Sequence, residues 1–111
     1  MSNWVGFDLD GTLAYDDTWR GENHIGLPIP SMMMRLRYEL DAGHKCKIVT
    51  ARAGLGQHAV DAIQTWLEDQ GFPPLEVTDR KDFGMVKLYD DRAIQVVSNT
   101  GRIVRGRDDR H

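Results

Sequence analysis

One stretch near the amino terminus decides the fold: Trp4-Val5-Gly6-Phe7-Asp8-Leu9-Asp10-Gly11-Thr12-Leu13. It opens with an apolar run that is typical of a short buried strand. Two carboxylates follow where the strand should end, and alternation along an extended chain would place both on one face. Gly11 then favours a turn. Because neighbouring carboxylates repel each other and are costly to remove from water, the stretch predicts a cation site. A solvated Asp-rich turn is the alternative interpretation.

The composition is typical of one folded domain. The chain has 111 residues, of which 41% are hydrophobic and 28% charged, a length that supports one core. We therefore interpret residues 1–111 as a single domain and expect residues 105–111 to be a frayed tail. The net charge of −3 argues against general nucleic-acid affinity but is compatible with a local basic site.

The sequence also predicts the cellular compartment in which the protein acts. No apolar run approaches the ~20 residues of a membrane span, and the amino terminus lacks a signal-peptide pattern. The single cysteine, Cys46, cannot form an internal disulfide, and its surroundings favour a small strand residue over a nucleophile. A cytoplasmic location without membrane contact is therefore expected.

Strand and helix patterns alternate along the rest of the chain. Residues 14–30 are predicted to be irregular, whereas helices are predicted over residues 31–42 and 53–70, each followed by a glycine. Strands are predicted over residues 45–50, 75–78 and 85–89, with short candidates at 93–97 and 101–104 around a turn. This order favours right-handed crossovers and an α/β fold with a mostly parallel sheet flanked by helices.

Polar residues fall at the carboxyl ends of three predicted strands. They are Asp8 and Asp10, then Thr50, then Asp90 and Asp91. Since ligands bind beyond the carboxyl ends of parallel strands, we expect one site there. Its oxygen ligands suit Mg²⁺, and the sequence has no Cys/His pattern typical of zinc. A carboxylate beside a metal-bound phosphoryl group can attack phosphorus, while a second carboxyl group transfers protons.

The segment Asp8-Leu9-Asp10-Gly11-Thr12-Leu13 resembles the first motif of the haloacid dehalogenase-like (HAD) superfamily of phosphatases and phosphotransferases. The resemblance implies that Asp8 is the nucleophile, which forms an aspartyl-phosphate. It implies that Asp10 is the general acid/base and that the backbone carbonyl of Asp10 also binds the metal.

The segment Lys47-Ile48-Val49-Thr50-Ala51-Arg52 resembles the second motif. This implies that Thr50 hydrogen-bonds the phosphoryl group and that Ala51 and Arg52 lie beside the substrate. For Arg52, three interpretations stay open: it clamps a substrate phosphate, it pairs with Asp90 or Asp91, or it faces solvent.

Asp90 and Asp91 resemble the acidic fourth motif. This implies that Asp90 is a direct metal ligand and that Asp91 is either a ligand or a hydrogen-bond partner of the ligands. The third motif is a lysine, for which both Lys81 and Lys87 qualify. The family lysine usually lies in a polar loop after the third strand, which favours Lys81 as the residue that binds substrate.

The resemblance covers about residues 3–97 and implies a Rossmann-like domain without a cap, because each gap between motifs is short. An open site of this kind suits bulky phosphates such as nucleotides or DNA and RNA ends. The Thr50-Ala51-Arg52 and Asp90-Asp91-Arg92 signatures are also similar to the phosphatase half of polynucleotide kinase–phosphatases. The implied activity is Mg²⁺-dependent phosphomonoester hydrolysis.

Two alternatives come from other functional classes. A receiver-like phosphoacceptor module would use a similar acidic cluster to signal without turnover, but Asp10 argues against it because a general acid/base serves turnover. A regulatory binding protein with a degenerate site is the other alternative, although every expected motif has a suitable residue.

Overall fold

The computed structural model of the protein describes residues 2–16, 21 and 23–104, so the predicted tail at 105–111 lies outside the described residues. The elements are β1 (Trp4–Asp8), α1 (Pro30–Asp41), β2 (Cys46–Val49), a 3-10 helix (Ala51–Leu55), α2 (Gln57–Asp69), β3 (Glu76–Thr78) and β4 (Met85–Tyr89). No helix in these described ranges is long and apolar enough to cross a membrane.

The four strands form one parallel sheet in the order β3-β2-β1-β4. The chain moves from β1 through β2 to β3, and then returns to the other side of β1 to form β4. The boundary between β1 and β4 is therefore a switch point, the place where α/β sheets commonly bind ligands. The predicted parallel sheet is confirmed.

Both helices pack on the same face of the sheet, because two right-handed crossovers that step in the same direction place their helices on one side. Alternate strand residues point toward this layer. The buried side chains of this core include Val5, Phe7, Cys46 and Ile48 from the strands and Met33, Leu36, Ile63 and Leu67 from the helices.

The opposite face carries Trp4 and Lys47 and contacts the segment that joins β3 to β4, residues 79–84. Asp82 in this segment accepts a hydrogen bond from the indole nitrogen of Trp4 (2.7 Å), and its carboxylate lies 3.9 Å from the Lys47 ammonium. The backbone amide of Trp4 donates to the carbonyl of Gly84 (2.8 Å). This segment is therefore held near the amino ends of the strands.

Three predicted elements, one helix and two candidate strands, differ from the structure. The helix predicted over residues 53–70 begins only at Gln57, because residues 51–55 form the 3-10 helix and Gly56 follows with a φ of +121°. The candidate strands at 93–97 and 101–104 are reduced to one antiparallel bridge between Val96 and Ile103. The other predicted elements agree with the structure to within one residue at each end.

Candidate active site

The carboxyl ends of β1 and β4 bring three carboxylates together. Asp8 is the last residue of β1, and Asp90 and Asp91 directly follow β4. One oxygen from each side chain lies within 4.8 Å of the others. The two strands are hydrogen-bonded neighbours, so their ends coincide at the switch point of the sheet.

Burial raises the pKa of Asp8 from 3.8 to about 7. A hydrogen bond with Asp91 and the negative charge of Asp90 add to the rise, whereas a backbone hydrogen bond at Leu9 acts in the opposite direction. In the absence of a cation, the Asp8 carboxylate consequently binds a proton in part of the molecules near neutral pH. A hard divalent cation bound by the three carboxylates would displace that proton, so the donor set fits such an ion.

Thr12 connects the two strand ends. Its buried hydroxyl donates to the Asp91 carboxylate (3.0 Å) and accepts from the backbone N–H of Asp91 (3.1 Å). Gly11 lies against the same carboxylate, with a φ of +88°, and a Cβ atom there would collide with it. Thr12 was not predicted from the sequence as a site residue, although a hydroxyl directly after the turn glycine was a signal that could have identified it.

Asp10 faces Arg52 and lies outside the acidic cluster. Both carboxylate oxygens accept from the guanidinium, Oδ2 from Nε and Oδ1 from Nη2, each at 2.9 Å. Arg52 also donates to the backbone carbonyl of His24 (2.8 Å). A bidentate ion pair therefore turns the Asp10 side chain toward Arg52. Binding of the metal by the backbone carbonyl of Asp10 stays a prediction.

Arg52 itself is only 8% exposed, which excludes the interpretation that it faces solvent. The carboxylate that it pairs with is Asp10, a partner that was not among the expected ones. Contact of Arg52 with a substrate phosphate stays a prediction.

Most of the predicted site residues line one cavity of about 380 Å³. The predicted residues in its lining are Asp8, Asp10, Thr50, Ala51, Arg52 and Asp90. The lining also includes residues that were not predicted from the sequence, namely Tyr15, Asp16, His24, Gly26 and Arg92. The cavity therefore combines several carboxylates with the guanidinium groups of Arg52 and Arg92.

Thr50 follows β2 and caps the 3-10 helix. It is buried, and its hydroxyl oxygen accepts from the backbone N–H of Arg52 (3.2 Å). Because a hydroxyl can accept and donate at once, this arrangement leaves its proton able to reach a ligand in the cavity. The cap also determines that the 3-10 helix begins at Ala51, directly before Arg52.

Neither candidate lysine lines this cavity. The Lys87 ammonium lies 3.0 Å from the buried carboxylate of Glu39. Lys81 lies in the segment held near the amino ends of the strands, and lines a separate cavity with Asp82 and Phe83. The assignment of Lys81 as the substrate-binding lysine stays a prediction.

Cys46 is a buried residue of β2, in agreement with its predicted packing role. Burial, together with the charge of Glu39, raises the pKa of its thiol to about 11. The thiolate is the reactive form of cysteine, so this side chain is a poor nucleophile.

A comparison of the chain with protein-family models, with curated proteins and with solved structures found no match.

Proposed function

We propose that this protein is a phosphomonoester hydrolase of the HAD superfamily that uses Mg²⁺ and forms an aspartyl-phosphate on Asp8. The observation that carries the proposal is the meeting of Asp8 with Asp90 and Asp91 at the switch point of a parallel sheet. Asp10, which follows β1, and Thr50, which follows β2, line a cavity together with Asp8 and Asp90. In this proposal the sheet is the core of a Rossmann-like domain that acts in the cytoplasm.

Asp8, Asp90 and Asp91 would hold the cation, because they are the carboxylates whose oxygens converge. Mg²⁺ held by these residues would neutralise charge on the phosphoryl oxygens and offset the repulsion between the carboxylates. The ionised Asp8 then attacks phosphorus, and the hydroxyl of Thr50 donates a hydrogen bond to a phosphoryl oxygen. The products of this step are the aspartyl-phosphate and the leaving alcohol.

Asp10 has to give a proton to the leaving oxygen and later take one from water. Both of its oxygens accept from Arg52, so the guanidinium fixes the position of this carboxylate. A substrate phosphate competes for the same guanidinium, because arginine binds phosphate and carboxylate in the same bidentate geometry. Binding of substrate is therefore expected to release Asp10 for proton transfer.

The proposed substrates are nucleotides, nucleic-acid ends or other bulky phosphates. A cavity of about 380 Å³ has room for a phosphoryl group and part of its leaving group. Tyr15, Asp16 and Arg92 line the cavity and are exposed, which supports access by a substrate larger than the cavity.

The test measures phosphate release in the presence of Mg²⁺, with wild type and Asp8→Asn side by side. The panel holds p-nitrophenyl phosphate, nucleoside monophosphates, sugar phosphates and 3′- and 5′-phosphorylated oligonucleotides. Release by wild type alone, lost with EDTA and restored by Mg²⁺, is the expected result. Activity that persists in Asp8→Asn would reject Asp8 as the nucleophile, and indifference to EDTA would reject the cation.

The pairing of Asp10 with Arg52 also favours a second candidate, a phosphoacceptor that does not turn over. If substrate does not release Asp10, the aspartyl-phosphate lacks a base for its hydrolysis. Stable phosphorylation of Asp8 by a small phosphodonor, without phosphate release, would favour this candidate.

A further inference from the structure

Glu39 is a fully buried carboxylate that the proposed chemistry does not use. It lies on α1 and contacts three side chains: the Lys87 ammonium (3.0 Å), the Tyr89 hydroxyl (2.8 Å) and Nδ1 of His44 (2.6 Å). Burial alone would raise its pKa, but the hydrogen bonds from His44, Lys87 and Tyr89 outweigh burial and lower the pKa to about 2. Glu39 is therefore an ionised buried group whose charge is stabilised by these three partners.

Tyr89 connects this buried carboxylate to the acidic cluster. It is the last residue of β4 and directly precedes Asp90. Its ring stacks on that of Phe7, which directly precedes Asp8, with centroids 4.6 Å apart and an interplanar angle of 15°. One side chain thus contacts α1 through its hydroxyl and β1 through its ring.

β4 needs such a contact because it is an edge strand. It pairs with β1 alone, and its register is irregular between Trp4 and Val5. A slip of one residue in a strand exchanges the faces of its side chains. Asp90 and Asp91 directly follow this strand, so a slip would change which of them faces Asp8.

We propose that Glu39 and Tyr89 are positioning residues: their hydrogen bond holds the end of β4 against α1 and so sets the placement of Asp90 and Asp91 relative to Asp8. The inference rests on the proposed function, because it takes these three carboxylates to be the cation ligands. Lys87 and His44 keep Glu39 ionised. Tyr89 connects Glu39 to the acidic cluster, because its hydroxyl donates to Glu39 and its backbone directly precedes Asp90.

The test compares Mn²⁺ affinity, measured by calorimetry or electron paramagnetic resonance, in three proteins. Tyr89→Phe removes the hydroxyl and keeps the ring that stacks on Phe7. His44→Ala is the matched control, because it removes another hydrogen bond from the same carboxylate but does not adjoin the cluster. Loss of residues that orient metal ligands typically weakens binding about 10–100-fold, and we expect about 10-fold for Tyr89→Phe with wild-type affinity for His44→Ala.

Equal Mn²⁺ affinity in Tyr89→Phe and His44→Ala would overturn the positioning role and leave the proposed function standing. A wild-type protein that binds no Mn²⁺ would overturn the inference together with the cation site itself. If Tyr89→Phe does not fold, a comparison of Glu39→Gln with Glu39→Ala decides the question, because the glutamine oxygen can still accept from Tyr89 and alanine cannot. Wild-type affinity in Glu39→Gln with about a 10-fold loss in Glu39→Ala would support the proposal, and equal affinity in the two variants would reject it.

Discussion

Replacing Asp8 with asparagine is expected to stabilise the cation-free protein even though it removes the proposed activity. The pKa of Asp8 is about 7 in the folded protein, against an ordinary value of 3.8. Above pH 7 the folded chain carries an ionised Asp8 beside two other carboxylates, whereas the unfolded chain exposes it to water. Asparagine has no charge at any pH, so it removes this unfavourable ionisation.

The size of the effect follows from the pKa difference. One pKa unit corresponds to about 1.4 kcal/mol, so the shift from 3.8 to about 7 sets an upper bound of about 4 kcal/mol. Asp8 is only partly buried and solvent screens its charge, so we expect a gain of about 1–2 kcal/mol at pH 8. For a chain of this length the gain corresponds to a rise in Tm of about 4–8 °C.

The sign of the pH dependence is specific. A carboxyl group whose pKa is raised on folding favours the folded state below its unfolded pKa, and this advantage is lost as the pH rises to the folded pKa. The gain from Asp8→Asn should therefore be small at pH 4, increase up to about pH 7 and stay constant above it.

The assay is urea unfolding followed by circular dichroism in EDTA at pH 4, 6 and 8. Asp41→Asn is the control, because it removes one exposed charge at the end of α1. Added Mg²⁺ should stabilise wild type more than Asp8→Asn. A variant that is less stable than wild type at pH 8, or equally stabilised at pH 4 and pH 8, would refute the reasoning.

Two further predictions concern the support of the site and its lysines. Thr12→Val keeps the shape of the side chain and removes both hydrogen bonds to Asp91. It should lower the free energy of unfolding in urea by about 1–2 kcal/mol and weaken Mn²⁺ binding. Unchanged Mn²⁺ affinity would show that Thr12 only stabilises the fold. Lys81→Ala should lower phosphate release at unchanged Tm. Lys87→Ala should lower the Tm, because it leaves the buried Glu39 without its ammonium partner. The reverse pattern would move the third-motif assignment to Lys87.

The convergence of the acidic cluster could be predicted from the sequence because it depends on topology. Asp8, Asp90 and Asp91 each follow an apolar strand, and the carboxyl ends of parallel strands meet at one edge of the sheet. The bounds of β4 were also predictable, since four of the residues 85–89 are apolar or aromatic and two carboxylates follow them.

The partners of individual side chains were not predictable, because they depend on packing between distant segments. Asp10 and Arg52 are 42 residues apart, and their pairing depends on how the 3-10 helix directs a long side chain. The sequence shows a helical pattern through this region, but Gly56 adopts a φ of +121° that separates the 3-10 helix from α2. The direction of the 79–84 segment, which carries Lys81, depends in turn on the contacts of Asp82 with the opposite face of the sheet.

Burial of a polar side chain costs desolvation free energy, and five such side chains are buried in the described part of this small domain. Among the described residues they are Thr12, Glu39, Lys47, Thr50 and Arg52. A buried polar group adds little to net stability, but its fully satisfied hydrogen bonds restrict the structure to one arrangement. Four of these side chains contact the cavity, the acidic cluster or Tyr89, and Lys47 pairs with Asp82 in the segment that leads into β4. With both helices on one face and β4 at the sheet edge, we infer that these polar contacts add to apolar packing in placing Asp90 and Asp91. A fixed placement of these carboxylates is the property that the proposed cation-binding phosphotransfer site requires.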